Sequence, residues 1–268
     1  MTRSSAQPVI MTIAGLDPSG GAGVLADIKT ISAFGCYAIA VVTSLTIQNT
    51  QRVFQIDNQD TEIVRSQIEA LAEDFEIAAI KTGMLPTAEI VRETARAIDK
   101  TNLILVVDPV LISSSGFNLC DEGAIDALKV SLLPLATVVT PNVAEAARLS
   151  GVDIHDEATM RRAAEEILKV GAKSVLITGG DAGTRYATDF LFDAEGASTY
   201  RIERVVSTNT HGTGCTLASA IACLLVQGHS LREAVPLAKL YIADAIRGAH
   251  PHGRGNGPLN HFSRWFQK

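Results

Sequence analysis

The stretch VIMTIAGLDPSGGAGVLADIKTISAF, residues 9–34, joins an apolar run to an amphipathic segment through a glycine-rich turn. Residues 9–14 are rich in β-branched side chains and predict a buried strand, and residues 24–34 predict a helix. This strand-to-helix order recurs along the chain, which indicates the α/β class with a largely parallel sheet covered on both faces. The candidate strands are residues 9–14, 38–45, 77–80, 103–107, 138–139 and 174–177.

Turn residues and helical spacing predict further elements around this sheet. Residues 187–202, with a Glu-Gly pair near the middle, predict an antiparallel hairpin after the sixth strand. Ser230 and Glu233 have the pattern of a capping box that opens a helix, while Pro236 predicts a kink or a later start of that helix. Apolar residues at helical spacing are expected to face the sheet, namely Ile63, Ile68, Leu71, Met160, Ala164, Ile167 and Leu168.

The composition is that of a globular protein. The chain has 268 residues, of which 47% are hydrophobic and 19% charged, and a chain of this length buries about three quarters of its unfolded surface. The 21 glycines and 9 prolines follow no repeat and form no linker, so one domain over residues 1–268 is expected. The net charge of -6 comes without a basic stripe, which argues against nucleic acid as a partner.

The apolar segments predict neither a membrane span nor an export signal. The longest, residues 217–226, is about half of the ~20 residues that a spanning helix needs, and predicts a buried helix instead. Residues 9–14 lead into Asp17 rather than into a small-residue cleavage site. The cysteines form no CxxC pair and lack histidines at metal-ligand spacing, which favours reduced thiols in a cytoplasmic protein. They are Cys36, Cys120, Cys215 and Cys223.

The turn at residues 15–23 brings backbone to the carboxyl edge of the predicted sheet, where open α/β folds bind ligands. Its sequence, GLDPSGGAG, matches neither the dinucleotide-binding GxGxxG nor the phosphate-binding GxxxxGK(S/T) pattern. A turn of this kind is as often structural as functional. Asp17, Asp27 and Lys29 nearby, together with a second glycine-rich turn, favour a functional interpretation.

That second turn is NTHGTGC, residues 209–215, directly before the long apolar segment. Glycines let consecutive N–H groups point at one spot, and a helix N-terminus adds partial positive charge, so the turn predicts an anion site suited to a phosphoryl group. Cys215, in the first helical turn, is expected to have a lowered thiol pKa. The alternatives are a small buried packing residue for Cys215 and a hydrogen-bonded structural residue for His211.

Polar residues also follow two central strands. Asp108 comes directly after residues 103–107, and Asn142 and Glu145 lie three positions apart at the start of a helix. Their oxygens could hold Mg²⁺ beside phosphates. The alternative is a helix cap, with Asn142 as the N-cap and Glu145 completing a capping box. The sequence KTGM, residues 81–84, closes another strand and predicts a pocket wall that passes from polar to apolar.

These pieces, in this order, resemble the hydroxymethylpyrimidine/phosphomethylpyrimidine kinases of thiamine biosynthesis, within the ribokinase-like superfamily. The resemblance runs through nearly the whole chain, and NTHGTGC combined with QNT and GGAG makes it specific. It implies a three-layer αβα sandwich with a largely parallel central sheet, ATP and Mg²⁺ as cofactors, and a homodimer. The motifs that carry it are IAGLDPSGGAG at 13–23, ADIKT at 26–30, VTSLTIQNT at 42–50, KTGML at 81–85, DPV at 108–110, TPNVAEA at 140–146, NTHGTGCTLASAIA at 209–222 and GNGPLNHF at 255–262.

The resemblance also implies roles for individual residues. The superfamily usually has Asp after its GTG turn, whereas the pyrimidine kinases have Cys, so Cys215 is expected to accept or guide the substrate hydroxyl proton. Gln48 would hydrogen-bond the pyrimidine, and Lys239 would lie near the nucleotide unless it is a surface lysine. The other implied residues are Gly15, Asp27, Thr46, Met84 and Val110 around the pyrimidine, Gly212, Thr213 and Gly214 in the anion hole, Asn142 and Thr178 near the nucleotide, and Glu145 and Asp108 as metal ligands.

Two positions depart from the family pattern. The family commonly has Lys-Gly-Gly-His where this chain has TGGD at residues 178–181, so a cation near the nucleotide phosphates is expected to be missing. Residues 112–116 lack the lysine that some relatives carry before Ser-Gly. Both departures bear on the contacts with ATP more than on the fold or the pyrimidine pocket.

The implied reaction is the ATP-dependent phosphorylation of 4-amino-5-hydroxymethyl-2-methylpyrimidine to its monophosphate and then to the diphosphate. The alternatives are a pyridoxal kinase of vitamin B6 salvage and a non-catalytic pyrimidine-binding sensor. Gln48 favours the pyrimidine because an amide offers a paired donor and acceptor to the aminopyrimidine edge. The intact GTGC turn favours an enzyme, because a sensor has no use for it.

Overall fold

The computed structural model describes residues 7–99, 101–113, 116–179 and 183–265. Its strands are β1 (Val9–Leu16), β2 (Tyr37–Gln48), β3 (Val53–Asn58), β4 (Ile77–Thr82), β5 (Ile104–Val107), β6 (Val138–Val139), β7 (Val175–Ile177), β8 (Tyr186–Asp193) and β9 (Gly196–Glu203). Within these residues the strands form one sheet, in the order β3-β2-β1-β4-β5-β6-β7-β8-β9. The six strands from β2 to β7 in this order are parallel, while β3, β8 and β9 pair antiparallel at the edges.

Helices cover both faces of the sheet, because successive side chains of a buried strand point to opposite sides. They are α1 (Gly23–Ala33), α2 (Thr61–Asp74), α3 (Ala88–Asp99), α4 (Glu122–Ala127), α5 (Val143–Ser150), α6 (Glu157–Lys169), α7 (Thr213–Val226) and α8 (Leu231–Arg247). Met11 and Ile13 of β1 pack with α2 to α6, whereas Ile10 packs with α1, α7 and α8. The three-layer α/β arrangement is therefore confirmed.

Each candidate strand is present, and β1 extends to Leu16. The predicted hairpin is confirmed as β8 and β9, which pair antiparallel. The sequence did not predict β3. That strand lies at the edge of the sheet, and Val53 is its one buried residue, so it lacks the apolar signal of a covered strand.

The helix faces were predicted correctly except at Ile63. Ile68, Met160, Ala164 and Ile167 are buried, but the side chain of Ile63 is 50% exposed. Val64 is buried in its place, and the buried stripe of α2 runs through Val64 and Ile68. Two neighbouring apolar residues cannot both face the sheet from one helix, and spacing alone did not decide between them.

The helix α8 begins at the capping box that the sequence predicted, so its start is not delayed by Pro236. Ser230 is the N-cap, and its side chain accepts a hydrogen bond from the N–H of Glu233. Pro236 has no N–H for the carbonyl oxygen of Arg232 one turn earlier. The hydroxyl of Tyr200, on β9, donates to that carbonyl oxygen at 3.3 Å. A side chain from the sheet therefore compensates for the proline.

The apolar segment predicted as a buried helix is α7, whose residues from Cys215 to Leu224 are all buried. The four cysteines are free thiols. Over the residues that the structure describes, none of the helices has the length and apolar character needed to cross a membrane.

Candidate active site

The carboxyl ends of the parallel strands open into a cavity of about 430 Å³. Open α/β sheets bind their ligands at this edge. Leu16 ends β1 and Gln48 ends β2 at the wall of the cavity, and Asp108 follows β5 there. Of the residues that the sequence predicted, the lining contains Gly15, Thr46, Gln48, Met84, Asp108, Val110, Asn142, Glu145, Thr178, Gly212, Thr213, Gly214 and Cys215.

The two glycine-rich turns pack directly against each other. Gly212 has a φ of +84°, and a Cβ at this position would lie 1.9 Å from the carbonyl oxygen of Gly21. A Cβ on Gly21 would lie 2.4 Å from Cδ2 of His211. Only glycine fits at these positions, and their close approach brings the two turns to one cavity.

The GTG turn forms the N-terminal end of α7. Gly212 is the N-cap, and Thr213, Gly214 and Cys215 are the first residues of the helix. Backbone N–H groups of a first helical turn have no carbonyl partner within the helix and carry partial positive charge. Because all four residues line the cavity, this end of α7 has the geometry of an anion site.

Cys215 lies at the cavity wall, but its thiol is not activated as expected. Its side chain is 9% exposed, and burial raises the pKa of the thiol well above its ordinary value. The positive charge of Lys81 opposes this rise, whereas the carboxylates of Asp108 and Asp27 add to it. The prediction of a lowered pKa at the helix N-terminus is therefore wrong, because burial and two nearby carboxylates outweigh the helix end.

A buried ion pair lies behind the cavity wall. Nζ of Lys81 is 2.9 Å from Oδ1 of Asp27 and 3.7 Å from Oδ2 of Asp108. Asp27 also accepts hydrogen bonds from Thr12 at 2.6 Å and from Ser219 at 2.8 Å. Asp27 is fully buried and does not line the cavity, so the structure places it behind the pyrimidine pocket that the resemblance implies.

Asn142 and Glu145 form the capping box that was one of the two interpretations. Oε2 of Glu145 accepts from the N–H of Asn142 at 2.9 Å, and Oδ1 of Asn142 accepts from the N–H of Glu145 at 3.0 Å. Both residues also line the cavity. Burial and the charge of Asp108 raise the pKa of Glu145 to about 8, although the N–H groups of Asn142 and Leu111 oppose the rise. The capping box thus holds the carboxyl group of Glu145 at the wall of the cavity.

Asp108 and Glu145 fit a small, hard cation such as Mg²⁺. Oδ2 of Asp108 is buried and accepts no hydrogen bond from the part of the chain that the structure describes. Burial also raises the pKa of Asp108, so a cation beside it would be favourable. Among the described residues no cluster of three or more His, Cys, Asp or Glu could hold a metal, so water or phosphate oxygens would complete the coordination.

Contacts run from Gln48 to His211 and on to Asp17, two residues to which the resemblance assigned no role at the site. Its Oε1 lies 3.1 Å from Oγ1 of Thr46, and its Nε2 lies 3.3 Å from Nε2 of His211. Nε2 of His211 is 2.7 Å from Oδ2 of Asp17, and both residues line the cavity. The sequence did carry a signal for them, because Asp17 lies within the first glycine-rich turn and His211 directly precedes the GTG turn.

One interpretation of Lys239 was a surface lysine, and the structure contradicts it. It is 4% exposed and forms a buried ion pair with Asp189. Lys239 does not line the cavity. Oδ1 of Asp189 accepts from the N–H of Gly179 at 3.1 Å, so Asp189 connects Lys239 to the backbone beside Thr178. Residues 180 and 181 of the TGGD departure, and residues 114 and 115, lie outside the described residues.

The fold and the cavity together define a class of enzyme. A parallel sheet between two helical layers carries a glycine-rich turn after its first strand, and a GTG turn begins a buried helix at the same cavity. These are the features of the ribokinase-like small-molecule kinases.

Comparison with known proteins identifies the family within that class. The sequence profile described as phosphomethylpyrimidine kinase matches residues 17–260. The hydroxymethylpyrimidine/phosphomethylpyrimidine kinase of Rhizobium meliloti is 43% identical over 97% of this chain and 98% of its own length. The thiamine biosynthesis bifunctional protein of Geobacter sulfurreducens is 47% identical over 94% of this chain, which spans 52% of that relative. The chain belongs to the phosphomethylpyrimidine kinase family.

Solved structures confirm the ribokinase-like fold. The ADP complex of Bacillus subtilis pyridoxal kinase has a TM-score of 0.88 and 35% identity, and the match covers 97% of this chain and 99% of that one. The phosphomethylpyrimidine kinase of Clostridium difficile has a TM-score of 0.79 and 42% identity, over 90% of this chain and 100% of that one.

Proposed function

We propose that this chain transfers the γ-phosphoryl group of ATP to the hydroxymethyl oxygen of 4-amino-5-hydroxymethyl-2-methylpyrimidine, and then phosphorylates the monophosphate to the diphosphate. The cavity that holds both Gln48 and the turn at residues 212–215 carries this proposal. An amide suited to ring recognition and an anion site suited to the transferring group share one space. Membership of the phosphomethylpyrimidine kinase family supports the same activity.

The acceptor ring would lie between Gln48 and the apolar wall. Met84 is buried at this wall, and a Cβ on Gly15 would lie 2.9 Å from its sulfur, so glycine at position 15 leaves room for the sulfur. Val110 supplies a second apolar surface in the lining. Apolar walls with one amide on the ring edge bind a flat, polar-edged heteroaromatic ring in a defined orientation.

Phosphoryl transfer needs positioning and charge stabilisation more than covalent help. The N-terminal end of α7 would supply both, because its N–H groups point to the space where charge on the phosphoryl oxygens increases. In the transfer the hydroxymethyl oxygen bonds to the γ-phosphorus, the bond from that phosphorus to the ADP oxygen breaks, and the hydroxyl proton passes to an oxygen of the transferred phosphoryl group, with Cys215 guiding the hydroxyl.

The environment of Cys215 favours the guiding role of the two that the sequence left open. Its raised pKa keeps the thiol protonated at neutral pH, and the negative charge of Asp108 contributes to that rise. A protonated thiol with a carboxylate behind it can accept a hydrogen bond from the substrate hydroxyl and orient its oxygen toward the phosphorus. Guiding by position, rather than abstraction by a free thiolate, is therefore the chemistry that we assign to Cys215.

The nucleotide and Mg²⁺ would lie at the carboxyl ends of β5, β6 and β7, on the side of the cavity away from Gln48 at the end of β2. Thr178 bonds through its N–H to the carbonyl oxygen of Pro141 at 2.9 Å, which joins it to the loop of Asn142. We assign Asn142 and Thr178 to the nucleotide, and Asp108 and Glu145 to Mg²⁺. When bound, Mg²⁺ would neutralise charge on the phosphates and so favour their approach to the acceptor.

Phosphorylation of pyridoxal is the second candidate. It is favoured by the fold similarity to a solved pyridoxal kinase over nearly the whole chain. Gln48 argues for the pyrimidine as the better acceptor, because its amide matches an adjacent donor and acceptor on the ring edge.

The test is an ADP-release assay of the purified protein with MgATP and one acceptor at a time. The acceptors are the hydroxymethylpyrimidine, its monophosphate and pyridoxal. We expect turnover of both pyrimidine forms with a higher kcat/KM than pyridoxal. A higher kcat/KM for pyridoxal would overturn the proposal in favour of the second candidate, and ligand binding without ADP release would favour a sensor.

Three further features stay predictions. They are the homodimer, the cytoplasmic location, and the single domain over residues 1–268. The one sheet that joins all described strands supports the last of them.

A further inference from the structure

The hydrogen bonds around Gln48 form a chain with two fixed ends. Oγ1 of Thr46 lies 3.0 Å from the carbonyl oxygen of Leu16, and Nε2 of His211 lies 2.7 Å from Oδ2 of Asp17. The Gln48 amide lies between these ends, 3.1 Å from Oγ1 of Thr46 on one side and 3.3 Å from Nε2 of His211 on the other. All five residues line the cavity, so the chain runs along its wall.

The Thr46 hydroxyl has a single hydrogen and can donate to only one neighbour. We assign this hydrogen to the carbonyl oxygen of Leu16, which can only accept and lies at 3.0 Å, the shorter of the two contacts. Oγ1 of Thr46 then has only lone pairs to offer to Gln48. The amide group that faces Thr46 must therefore be the donor, Nε2.

The Asp17 end is equally restricted. Its carboxylate accepts from the N–H of Ser19 at 2.8 Å, from the N–H of Ala22 at 3.0 Å and from the Ser19 hydroxyl at 2.9 Å. A carboxylate with these donors is ionised and cannot donate, so Nε2 of His211 carries the hydrogen that lies between it and Asp17. A ring nitrogen that carries a hydrogen cannot accept one, and the amide group that faces His211 must be the oxygen, Oε1.

The backbone holds His211 in this place. Its N–H donates to the carbonyl oxygen of Gly257 at 3.1 Å, and Gly257 donates back to Thr208 at 3.1 Å. The imidazole lies against Gly21, where a Cβ would collide with it. A ring held on these sides cannot turn its Nε2 away from Asp17 without moving the turn that precedes the anion site.

We propose that Asp17 and His211 hold the Gln48 amide with Nε2 toward Thr46 and Oε1 toward His211, and that this orientation selects the acceptor ring. This reverses the arrangement described above, in which Oε1 faces Thr46 and Nε2 faces His211. The two arrangements differ by a half-turn of the terminal amide and have the same shape. Asp17 and His211 are thus positioning residues that act through Gln48. This inference rests on the proposed function, since it concerns the same acceptor pocket.

The orientation leaves one Nε2 hydrogen and one Oε1 lone pair for the ligand. In the aminopyrimidine, an amine donor next to the hydroxymethyl carbon stands beside a ring nitrogen acceptor, and this pair matches Oε1 and Nε2. Pyridoxal has an aldehyde oxygen, an acceptor, in the place of the amine. That oxygen would face Oε1, and a site built for hydrogen bonding discriminates strongly against an unmatched group.

The first variant to test is His211→Phe, which removes the N–H and keeps a ring against Gly21. We expect KM for the hydroxymethylpyrimidine to rise about tenfold with kcat little changed, because His211 orients Gln48 without touching the reacting atoms. We expect the ratio of kcat/KM for the pyrimidine to that for pyridoxal to fall by about the same factor, since the freed amide can turn to meet the aldehyde. His211→Gln, whose amide can still donate to Asp17, should recover part of that ratio.

A second pair of variants tests the other end of the chain. Thr46→Val keeps the shape and removes the hydroxyl, whereas Thr46→Ser keeps the hydroxyl. We expect Thr46→Val to lower the ratio and Thr46→Ser to keep it near the wild-type value. The control is His155→Asn, because His155 is an exposed histidine 3.8 Å from Asp156 and lies outside the cavity lining. His155→Asn should leave kcat/KM unchanged for both acceptors.

The outcomes separate this inference from the proposed function. The wild-type ratio tests the proposed function, and the change of the ratio in the variants tests the inference. Equal losses for both acceptors in His211→Phe and Thr46→Val, or an unchanged ratio, would overturn the inference whatever the wild type prefers. Thermal unfolding and ADP binding show whether each variant is folded, and if His211→Phe is not, the Thr46 pair decides.

Discussion

Nζ of Lys81 lies 2.9 Å from Oδ1 of Asp27, and both side chains are wholly inaccessible to solvent. The pair joins β4 to α1 behind the wall that carries Cys215 and Asp108. Burial lowers the pKa of Lys81, but the attraction of the surrounding acidic groups, chiefly Asp27 and with it Asp108, outweighs burial and raises the pKa, so the lysine is charged. A buried charge that loses its partner is strongly destabilising, whereas the pair as a whole can be replaced at little cost.

Lys81→Met should therefore destabilise the protein by about 3–5 kcal/mol, because it leaves Asp27 charged and unpaired in the core. The double variant Lys81→Met/Asp27→Asn should recover most of that loss. Urea unfolding measures both free energies. The control is Lys169→Met, whose lysine pairs with Glu166 on the surface and should leave the stability nearly unchanged. A double variant no more stable than Lys81→Met would contradict the pairing.

Cys215→Ala should slow the first phosphorylation much more than the second. The first acceptor is a neutral hydroxyl that needs orientation and loss of a proton, a contribution of about 10²-fold or more. The acceptor of the second step is already a phosphate anion. Single-turnover rates with each acceptor measure the two steps separately, and Cys215→Ser, which keeps a hydrogen-bonding group in place, is the matched control. Equal losses in both steps would rule out this division.

Glu145 should make the protein less stable as the pH rises from about 5 to 8. Its pKa is raised from 4.5 to about 8 in the folded state, so in this range the folded state binds more protons than the unfolded state. Stability then falls with rising pH and levels off above the folded-state pKa, by on the order of a few kcal/mol in total. Glu145→Gln should remove this part of the slope.

The measurement is urea unfolding of the wild type and Glu145→Gln at a series of pH values, without nucleotide or metal. The difference between the two curves isolates the residue, because other titrating groups are common to both proteins. Parallel curves would show that the carboxyl group ionises normally in the folded state. With MgATP added, Glu145→Gln should also need more Mg²⁺ for half-maximal activity, since it offers a weaker ligand.

Gly212→Ala should abolish most of the activity because its Cβ would meet the carbonyl oxygen of Gly21 at 1.9 Å. The matched control is Gly183→Ala, since Gly183 has a φ of +86° and open space around a Cβ. Both variants suffer the backbone strain of about 1–2 kcal/mol that a side chain has at positive φ. Only Gly212→Ala also forces the two turns apart. Comparable kcat/KM values for the two variants would mean that the contact between the turns is unimportant.

The strands and the site turns were predictable because their signals are local. A covered strand needs a run of apolar, β-branched residues, and residues 9–14 contain one. A turn that brings two backbone segments close together needs glycine, and the sequence GTG at 212–214 predicts such a turn. The edge strand β3 was missed because an exposed strand has no such run. The choice of Val64 over Ile63 depends on where α2 contacts the sheet.

The amino-acid sequence alone determined the α/β class, the two glycine-rich turns, and the family resemblance with most of the residues that line the cavity. The tertiary structure alone decided the electrostatics of the site. The helix N-terminus predicted an acidic thiol at Cys215, yet burial beside Asp108 and Asp27, which come from distant parts of the chain, raises its pKa. Desolvation and nearby charge depend on what packs around a group in space, and no pattern along the chain records that.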